Sequence, residues 1–486
     1  MPSREHFIVV EALPPVTEHV IDGYNNAGML LAYETFDVSG DAPEMREASK
    51  FRDEQKELFF EGAIRNPALN NCPNFQLERS ERRAMYQQTT SLMQVQQLRR
   101  HDGQAITPED RLLNNMLALR INELGFVETA SLIAEGGLSK DERHEAAAIL
   151  KSASREIYGM PEEGRAFSII DKRLDKARAI ANKPDHPAGD IARQVLDMIR
   201  LPEYAKSGEA ISLDGEVARY YREMLQESFQ EEIDAAFAEV GDKETYSVQE
   251  MAIVFQSYID RRGFGEDGWR AEIIPNRTAC ATKAEDRIVE IGDKRPASSR
   301  TYDKVLDSLV HEVEIHAGRQ YRGKHLGAGL AEYGLAGYTV FEEPFAATVA
   351  SVCRGDAKSS GEVYSMALAI AAGYDDGVER DFRDTFESMW RLGLVNTYKD
   401  DKPLEEQVEK ARKNAYGNLV RVWRGMPTDV PGCVFSKDKA YDNAEVVQYL
   451  KGEGEVLPRQ DFLRLLQAKY NPLDPEQDAY IRSLTS

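Results

Sequence analysis

Two histidines and a glutamate in one short run of the chain have the side chains that bind a metal and activate water on it. Glu312 directly follows His311, and His316 comes five positions after His311. Neutral imidazoles are common zinc ligands, and a neighbouring carboxylate can take a proton from a zinc-bound water. The chain has only eight histidines in 486 residues. We therefore predict that His311 and His316 bind Zn²⁺ and that Glu312 is the general base.

The spacing of the two histidines predicts a distortion in the helix that carries them. Residues five apart on an α-helix are separated by about 140° around its axis, whereas residues four apart lie close together. A regular α-helix would therefore not bring His311 and His316 to one ion. A turn of wider π-helix would, and such turns concentrate at functional sites. We predict a π-type turn between the histidines, eased by Gly318 just after them.

A pair of glutamates further along the chain can supply the third ligand. Glu342 and Glu343 precede Pro344, which suits the first turn of a helix, where the helix dipole also favours acidic side chains. A plain helix start would account for these acids equally well. The glycine-rich stretch 323–337 allows the chain to turn back toward the histidines. We predict Glu343 as the ligand, with Glu342 as the alternative.

These motifs resemble those of a known family. His311, Glu312 and His316 match the His-Glu-x-x-x-His of the microtubule-associated tyrosine carboxypeptidases and of their bacterial relatives, the flavohaemoglobin expression-modulating proteins with a Gln-Glu-Gly-Leu-Ala motif. The family's Glu-Glu-Gly-Leu-Ala matches 342–346, and its arginine after the second histidine matches Arg319. Weaker matches lie at 60–67, 421–425 and 434–438 and at Tyr441.

The resemblance implies a zinc metallopeptidase that acts on the C-terminus of a peptide or protein. Eukaryotic members of the family remove a C-terminal tyrosine from tubulin tails, so the residue removed here would be a tyrosine or another aromatic residue. The sequence departs from the family pattern at Glu314 and Phe345, which replace a glycine and a leucine. We expect these two side chains to change the shape of the substrate pocket.

A carboxypeptidase needs further side chains around the metal. A guanidinium can bind the terminal carboxylate of the substrate through two hydrogen bonds, and a donor is needed for the oxyanion that forms during cleavage. An arginine can equally form a structural ion pair. The predicted substrate-binding residues are Arg319, Arg322, Arg421, Arg424 and Tyr441. The candidate oxyanion donors are Tyr441, His325 and Tyr338.

Three classes of function stay open on this sequence. A zinc carboxypeptidase is the leading prediction. An endopeptidase or an aminopeptidase would use the same metal chemistry and would differ in what closes the cleft. A non-enzymatic regulatory protein that kept the fold is the third class, but the presence of Glu312 beside a complete ligand set argues against it.

Composition and charge narrow the class of protein. A chain with 42% hydrophobic and 30% charged residues is typical of a soluble enzyme. A net charge of −22 disfavours nucleic-acid binding, which depends on lysine and arginine at phosphates. Residues 1–14 lack the pattern of a secretory signal, and no stretch predicts a membrane span. The four cysteines have no paired spacing that would indicate a disulfide framework. We expect a cytoplasmic protein without membrane contact.

The surrounding sequence predicts a helix-dominated α+β protein with a small β-sheet before the metal-binding helix. Alternating residues predict strands at 269–275 and 287–291, joined as a short hairpin, and an apolar stripe predicts a helix over 301–321. The sheet edge would hold an extended substrate by backbone pairing.

The chain divides by pattern into two regions. Residues 1–205 form a predicted helical N-terminal region, and residues 206–486 a zinc-peptidase-like catalytic region with a helical C-terminal tail. Amphipathic periodicity predicts N-terminal helices at 47–60, 78–100, 108–124, 140–157 and 171–180.

Overall fold

The computed structural model describes residues 42–72, 107–203, 215–326, 329–355, 361–452 and 456–485, together with Phe36, Gln87, Thr90 and Leu213. Over these residues the protein is helix-dominated and has one three-stranded sheet. The predicted α+β class with a small sheet is confirmed. Within the same residues, no helix has the length and apolar character needed to cross a lipid bilayer.

The N-terminal helices begin where the sequence supplies capping residues. Thr107 and Ser139 each accept a hydrogen bond from the backbone amide three residues on, and the acid at that position binds back to the cap. These helices are α1 (Pro43–Phe60), α2 (Pro108–Glu135), α3 (Lys140–Tyr158), α4 (Glu163–Ala181) and α5 (Gly189–Met198). Four predicted helices are confirmed, and α5 was not predicted. The predicted helix at 78–100 lies outside the described residues except for Gln87 and Thr90.

The following segment carries the sheet and the histidine motif. Its elements are α6 (Gly215–Ala238), α7 (Val248–Arg261), β1 (Arg270–Ile274), β2 (Ala281–Lys283), β3 (Ile288–Gly292), α8 (Tyr302–Ser308), a π-helix (Leu309–Ala317), α9 (Gly318–His325), α10 (Gly329–Tyr333) and α11 (Thr339–Arg354). The C-terminal helices are α12 (Glu362–Ala371), α13 (Phe382–Thr397), α14 (Leu404–Trp423), α15 (Ala444–Lys451), α16 (Arg459–Leu465) and α17 (Pro475–Thr485). Short 3-10 turns lie at Phe264–Asp267, Ala297–Ser299 and Ser436–Tyr441.

The sheet differs from the predicted hairpin. Both predicted strands exist, but β1 pairs with β3 in parallel, with Ala271 opposite Val289. The unpredicted strand β2 lies in the intervening loop and pairs antiparallel with β3, giving the order β1-β3-β2. The hairpin prediction for β1 and β3 is therefore wrong, because the loop between them contains a strand that turns back first.

Two hydrophobic cores divide the described residues. The first contains side chains from α6, α7, the sheet, the π-helix, α11 and the C-terminal helices α15 to α17. The second contains side chains from the N-terminal helices α1, α3, α4 and α5 and from the C-terminal helices α12, α13 and α14. Helix α2 contributes its first half to one core and its second half to the other. Part of the region after residue 206 thus packs with the N-terminal helices, and the predicted division at 205/206 stays a prediction.

Candidate metal centre

The segment that carries both histidines is a π-helix, as their spacing predicted. It spans Leu309–Ala317 and continues directly from α8 into α9. Hydrogen bonds in a π-helix join residues five apart and bring their side chains to one face. The ring centroids of His311 and His316 are accordingly 4.9 Å apart. The unusual winding is what makes a five-residue spacing compatible with one shared ion.

Glu314 and Gly318 hold this π-helix against its neighbours. The fully buried Glu314 carboxylate accepts hydrogen bonds from Tyr258 at 2.7 Å and from Arg322 at 2.9 Å. Burial raises the pKa of Glu314, but the charges of Arg322 and Arg262 outweigh this effect and bring it below its usual value. Gly318 has an ordinary helical φ of −64°, and a Cβ there would come within 3.0 Å of Arg322 and Phe264. The glycine therefore allows close packing and does not ease the turn as predicted.

A third potential ligand approaches the two imidazoles from α11. An oxygen of Glu343 lies 3.6 Å from Nε2 of His311 and 4.0 Å from Nε2 of His316. One potential ligand atom from each of His311, His316 and Glu343 lies within 4.8 Å of the other two. We call these three side chains the ligand group. Within the ranges that the structure describes, this is the only group of three histidine, cysteine or acidic side chains close enough to share a metal ion.

Glu342 has a different place from its neighbour. It is buried and accepts a hydrogen bond of 2.6 Å from Nδ1 of His316. Because a carboxylate can only accept, Nδ1 carries a proton, and in the neutral imidazole the lone pair is then on Nε2, the atom that faces Glu343. Arg319 also donates to Glu342 at 3.1 Å, and Lys469 lies 3.9 Å away. Between the two glutamates, the geometry favours Glu343 as the ligand and makes Glu342 the residue that orients His316.

Glu312 is held beside the ligand group by the sheet. The hydroxyl of Thr282 on β2 lies 2.9 Å from the Glu312 carboxylate and 2.8 Å from the Glu312 carbonyl oxygen. Its single proton is shared between these two acceptors, which ties the general-base candidate to the edge strand. The arrangement leaves Glu312 next to His311 in sequence and on the wall of the same cleft.

The electrostatics of the metal-free site favour opposite charges on His311 and Glu343. Burial lowers the pKa of His311, but contact with Glu343 and the charge of Glu312 outweigh it and raise this pKa to about 9. Burial raises the pKa of Glu343, yet Lys437 and the two histidines bring it well below its usual value. The carboxylate is therefore ionised, and in the absence of a metal the imidazole is protonated at neutral pH.

These residues line a cleft of about 520 Å³ between the two hydrophobic cores. Its lining combines residues of β2 and the π-helix with Arg421, Arg424 and the turn Ser436–Tyr441. Gly361, with a φ of +76°, allows this turn to pack closely, because a Cβ there would overlap the carbonyl of Tyr441. The cleft is therefore assembled from segments that are far apart in the sequence.

The structure separates the predicted substrate-binding residues into two groups. Arg421, Arg424 and Tyr441 line the cleft. Arg319 and Arg322 do not line the cleft. Arg319 is completely buried and forms an ion pair with Glu342, and Arg322 forms an ion pair with the buried Glu314. The prediction that Arg319 and Arg322 bind substrate is wrong, since both arginines serve as structural ion-pair partners.

The structure also shows which of the candidate oxyanion donors line the cleft, and whether Glu314 and Phe345 do. Tyr338 lines the cleft, as does Tyr441, whereas His325 lies outside it with Nδ1 at 2.7 Å from the Tyr321 carbonyl. Glu314 and Phe345 are both completely buried and do not line the cleft. The expectation that they reshape the substrate pocket is therefore wrong.

Sequence reasoning missed several cleft residues, and three of them contact Glu312, Glu343 or Glu342. Thr282 lies on a strand of only three residues, too short to show an alternating pattern. Lys437 is buried, 3.7 Å from Glu343, and gave no signal of its own within the matched segment 434–438. Lys469 comes from the C-terminal part of the chain and reaches the site only through folding.

Comparison with protein-family models, with curated protein sequences and with solved structures finds no match for this chain. What the cleft can do chemically follows from its side chains: two imidazoles and one carboxylate that can share a cation, and a second carboxylate positioned to accept a proton.

Proposed function

We propose that the protein is a zinc-dependent peptidase that removes the C-terminal residue from a peptide or protein. One observation carries the proposal: His311, His316 and Glu343 offer ligand atoms within 4.8 Å of one another, with Glu312 fixed beside them. Two nitrogens and one oxygen suit zinc, and ligand atoms around a tetrahedral zinc ion are roughly 3.3 Å apart. The separations of 3.6 Å and 4.0 Å from Glu343 are close to that value.

When bound, zinc would lower the pKa of a coordinated water and polarise the scissile carbonyl. Glu312 would accept the proton from that water and deliver it to the leaving amine, which is the usual double role of a general base. Thr282 keeps the Glu312 carboxylate in position through its 2.9 Å hydrogen bond. Glu342 keeps the Nε2 lone pair of His316 available.

Other cleft residues offer donors for the developing oxyanion. Tyr441 and Tyr338 line the cleft, and the buried ammonium of Lys437 lies 3.7 Å from Glu343. The negative charge of Glu343 raises the pKa of Tyr441, so the phenol stays protonated at neutral pH and can donate. Fixed donors aimed at the position of the oxyanion stabilise the transition state more than the ground state.

The Thr282 hydroxyl provides a test of how Glu312 is positioned. We expect Thr282→Val, which keeps the shape of the side chain but not the donor, to lower kcat about tenfold to a hundredfold, because a hydrogen bond to a charged group contributes about 1.5–3 kcal/mol. Zinc content should not change. Steady-state kinetics and metal analysis measure both, and Thr282→Ser, which keeps the donor, is the matched control. An unchanged kcat in the valine variant would contradict this role.

The raised pKa of His311 predicts how zinc binding depends on pH. Zinc takes the neutral imidazole and so competes with a proton that His311 holds up to a pKa of about 9. We expect the apparent zinc affinity to fall about tenfold for each pH unit below that value. Chelator competition at about pH 6, 7 and 8 measures the slope. An affinity that is constant over this range would show that His311 is not protonated in the metal-free protein.

The function is tested with zinc-loaded protein and peptides that end in different residues, analysed by mass spectrometry. Loss of one C-terminal residue, abolished by a chelator and restored by zinc, is the expected result. The family resemblance favours tyrosine or another aromatic residue as the one removed. Internal cleavage would indicate an endopeptidase, and loss of N-terminal residues an aminopeptidase. A protein that binds no divalent metal would exclude the proposed hydrolysis and leave a regulatory role.

A further inference from the structure

The positively charged side chains of the cleft differ in whether they already have a partner. Five lysine or arginine side chains line it. Four of them are paired with carboxylates of the protein: Arg421 and Arg424 with Asp438, Lys437 with Glu343, and Lys469 with Glu342. Arg295 makes no hydrogen bond or ion pair through its side chain to any residue that the structure describes. Among the described residues, no acid neutralises the charge of the Arg295 guanidinium, in contrast to the other four basic side chains of the cleft.

Arg295 lies near the beginning of β2. The cleft is lined there by Ala279 and Cys280, which come just before the strand. Burial raises the pKa of the Cys280 thiol to about 12, with Glu312 adding to the effect and Arg295 opposing it. Both charges thus act on the same side chain. The backbone amide of Lys294, next to Arg295, donates to the carbonyl of Arg277 at 3.0 Å, which places Arg295 near the segment that leads into β2.

The other end of β2 carries the opposite charge. The carbonyl of Ala284 accepts a hydrogen bond from Gln320, which in turn contacts Lys469. Glu285 follows directly, is exposed, and lines the cleft. Like Arg295, it makes no hydrogen bond or ion pair within the described part of the chain. Among the described residues, Arg295 and Glu285 are therefore unpaired charges of opposite sign near the two ends of β2, whereas the neighbouring Lys469 is already paired with Glu342.

The second edge of β2 determines which way a bound peptide would run. Among the residues that the structure describes, β2 pairs only with β3, so the order β1-β3-β2 leaves this second edge without a strand partner. An extended peptide can pair with the other edge. In the antiparallel orientation its C-terminus points to the start of β2 and to Arg295. In the parallel orientation its carboxylate would meet Glu285, and like charges at close range repel.

We propose that Arg295 binds the terminal carboxylate of the substrate and so sets both the orientation of the peptide and the preference for a free C-terminus. This inference rests on the proposed peptidase function. A guanidinium suits the task because its planar fork can donate two parallel hydrogen bonds to a carboxylate. Arg295 is then a specificity-determining residue, and the residue removed lies between it and the metal ligands.

The test compares two peptides that are identical except that one ends in a free carboxylate and the other in an amide. We expect zinc-loaded wild-type protein to favour the free acid, and Arg295→Gln to lower kcat/KM for the acid about tenfold to a hundredfold, as for a lost hydrogen bond to a charged group. The value for the amide should be the same in both proteins. Arg295→Lys should lie between them, because it keeps the charge and loses the fork.

The neighbouring Lys294 provides a matched control. It is also exposed and basic but does not line the cleft, so Lys294→Gln should keep the full preference for the acid. An Arg295→Gln variant that still distinguishes acid from amide would overturn the inference.

The inference can fail separately from the peptidase proposal. Calorimetric titration of the same two peptides into wild-type protein and Arg295→Gln measures binding without requiring cleavage. Tighter binding of the acid that disappears in the variant supports the role of Arg295, even if neither peptide is hydrolysed. Equal binding of acid and amide to the wild-type protein overturns it, whether or not hydrolysis occurs.

Discussion

Replacing Glu312 with glutamine is expected to lower kcat for peptide cleavage about 10²- to 10⁴-fold, which is the usual contribution of a general acid–base group. Zinc should stay bound at one ion per chain, because Glu312 is not among the three side chains whose ligand atoms meet. Glutamine keeps the size of the side chain and can still accept the hydrogen bond from Thr282, but it cannot take a proton from water. The variant therefore separates proton transfer from metal binding.

Metal analysis and single-turnover kinetics on the same Glu312→Gln preparation make this comparison. Glu145→Gln is the matched control, since Glu145 also follows a histidine directly but is exposed and does not line the cleft. It should keep near wild-type kcat. Normal turnover by zinc-loaded Glu312→Gln would mean that another group accepts the proton, and Glu312 would lose its proposed role.

The two adjacent glutamates are expected to behave differently when each is changed to glutamine. Glu343→Gln should release zinc under conditions in which the wild-type protein retains it, because it removes one of three protein ligands. Glu342→Gln should keep zinc but bind it about 10- to 100-fold more weakly, as is usual for the partner that orients a ligating histidine. Chelator competition measures both affinities.

The Glu342 variant should also be less stable. Its carboxylate is buried and faces both Arg319, at 3.1 Å, and Lys469, at 3.9 Å. Removing the acid leaves these buried cations without their partner, a change that typically costs about 3–5 kcal/mol. Denaturant unfolding of the metal-free proteins would measure the difference. If Glu342→Gln loses zinc completely and Glu343→Gln retains it, the roles of the two glutamates are reversed.

Part of the candidate site could be predicted because it is local. His311 and His316 lie in one short segment, and their spacing excludes a regular α-helix if both are to reach one ion. The π-helix at Leu309–Ala317 follows that argument. The strands at 270–274 and 288–292 also matched their sequence patterns. Their pairing did not, because strand direction depends on the path of the intervening chain, where β2 consists of only three residues.

The arginines show where local reasoning ends. Arg319 follows the histidines by helical spacing, yet its side chain points into the first core and pairs with Glu342. Arg421 and Arg424 reach the cleft, but Asp438 already neutralises part of their charge. Arg295 lies outside the matched motifs and has no acidic partner among the described residues. Whether a cation is available to a ligand depends on partners that come from distant segments.

The sequence by itself determined the chemical inventory: two imidazoles at a spacing that requires π-helical winding, an adjacent acid, and a downstream pair of glutamates. Only the tertiary structure decided which glutamate faces the Nε2 atoms of both imidazoles, which strand holds Glu312, and which basic side chains have no acidic partner among the described residues. The reason is physical. Backbone winding depends on neighbouring residues, whereas burial and charge pairing depend on which segments the two hydrophobic cores bring together.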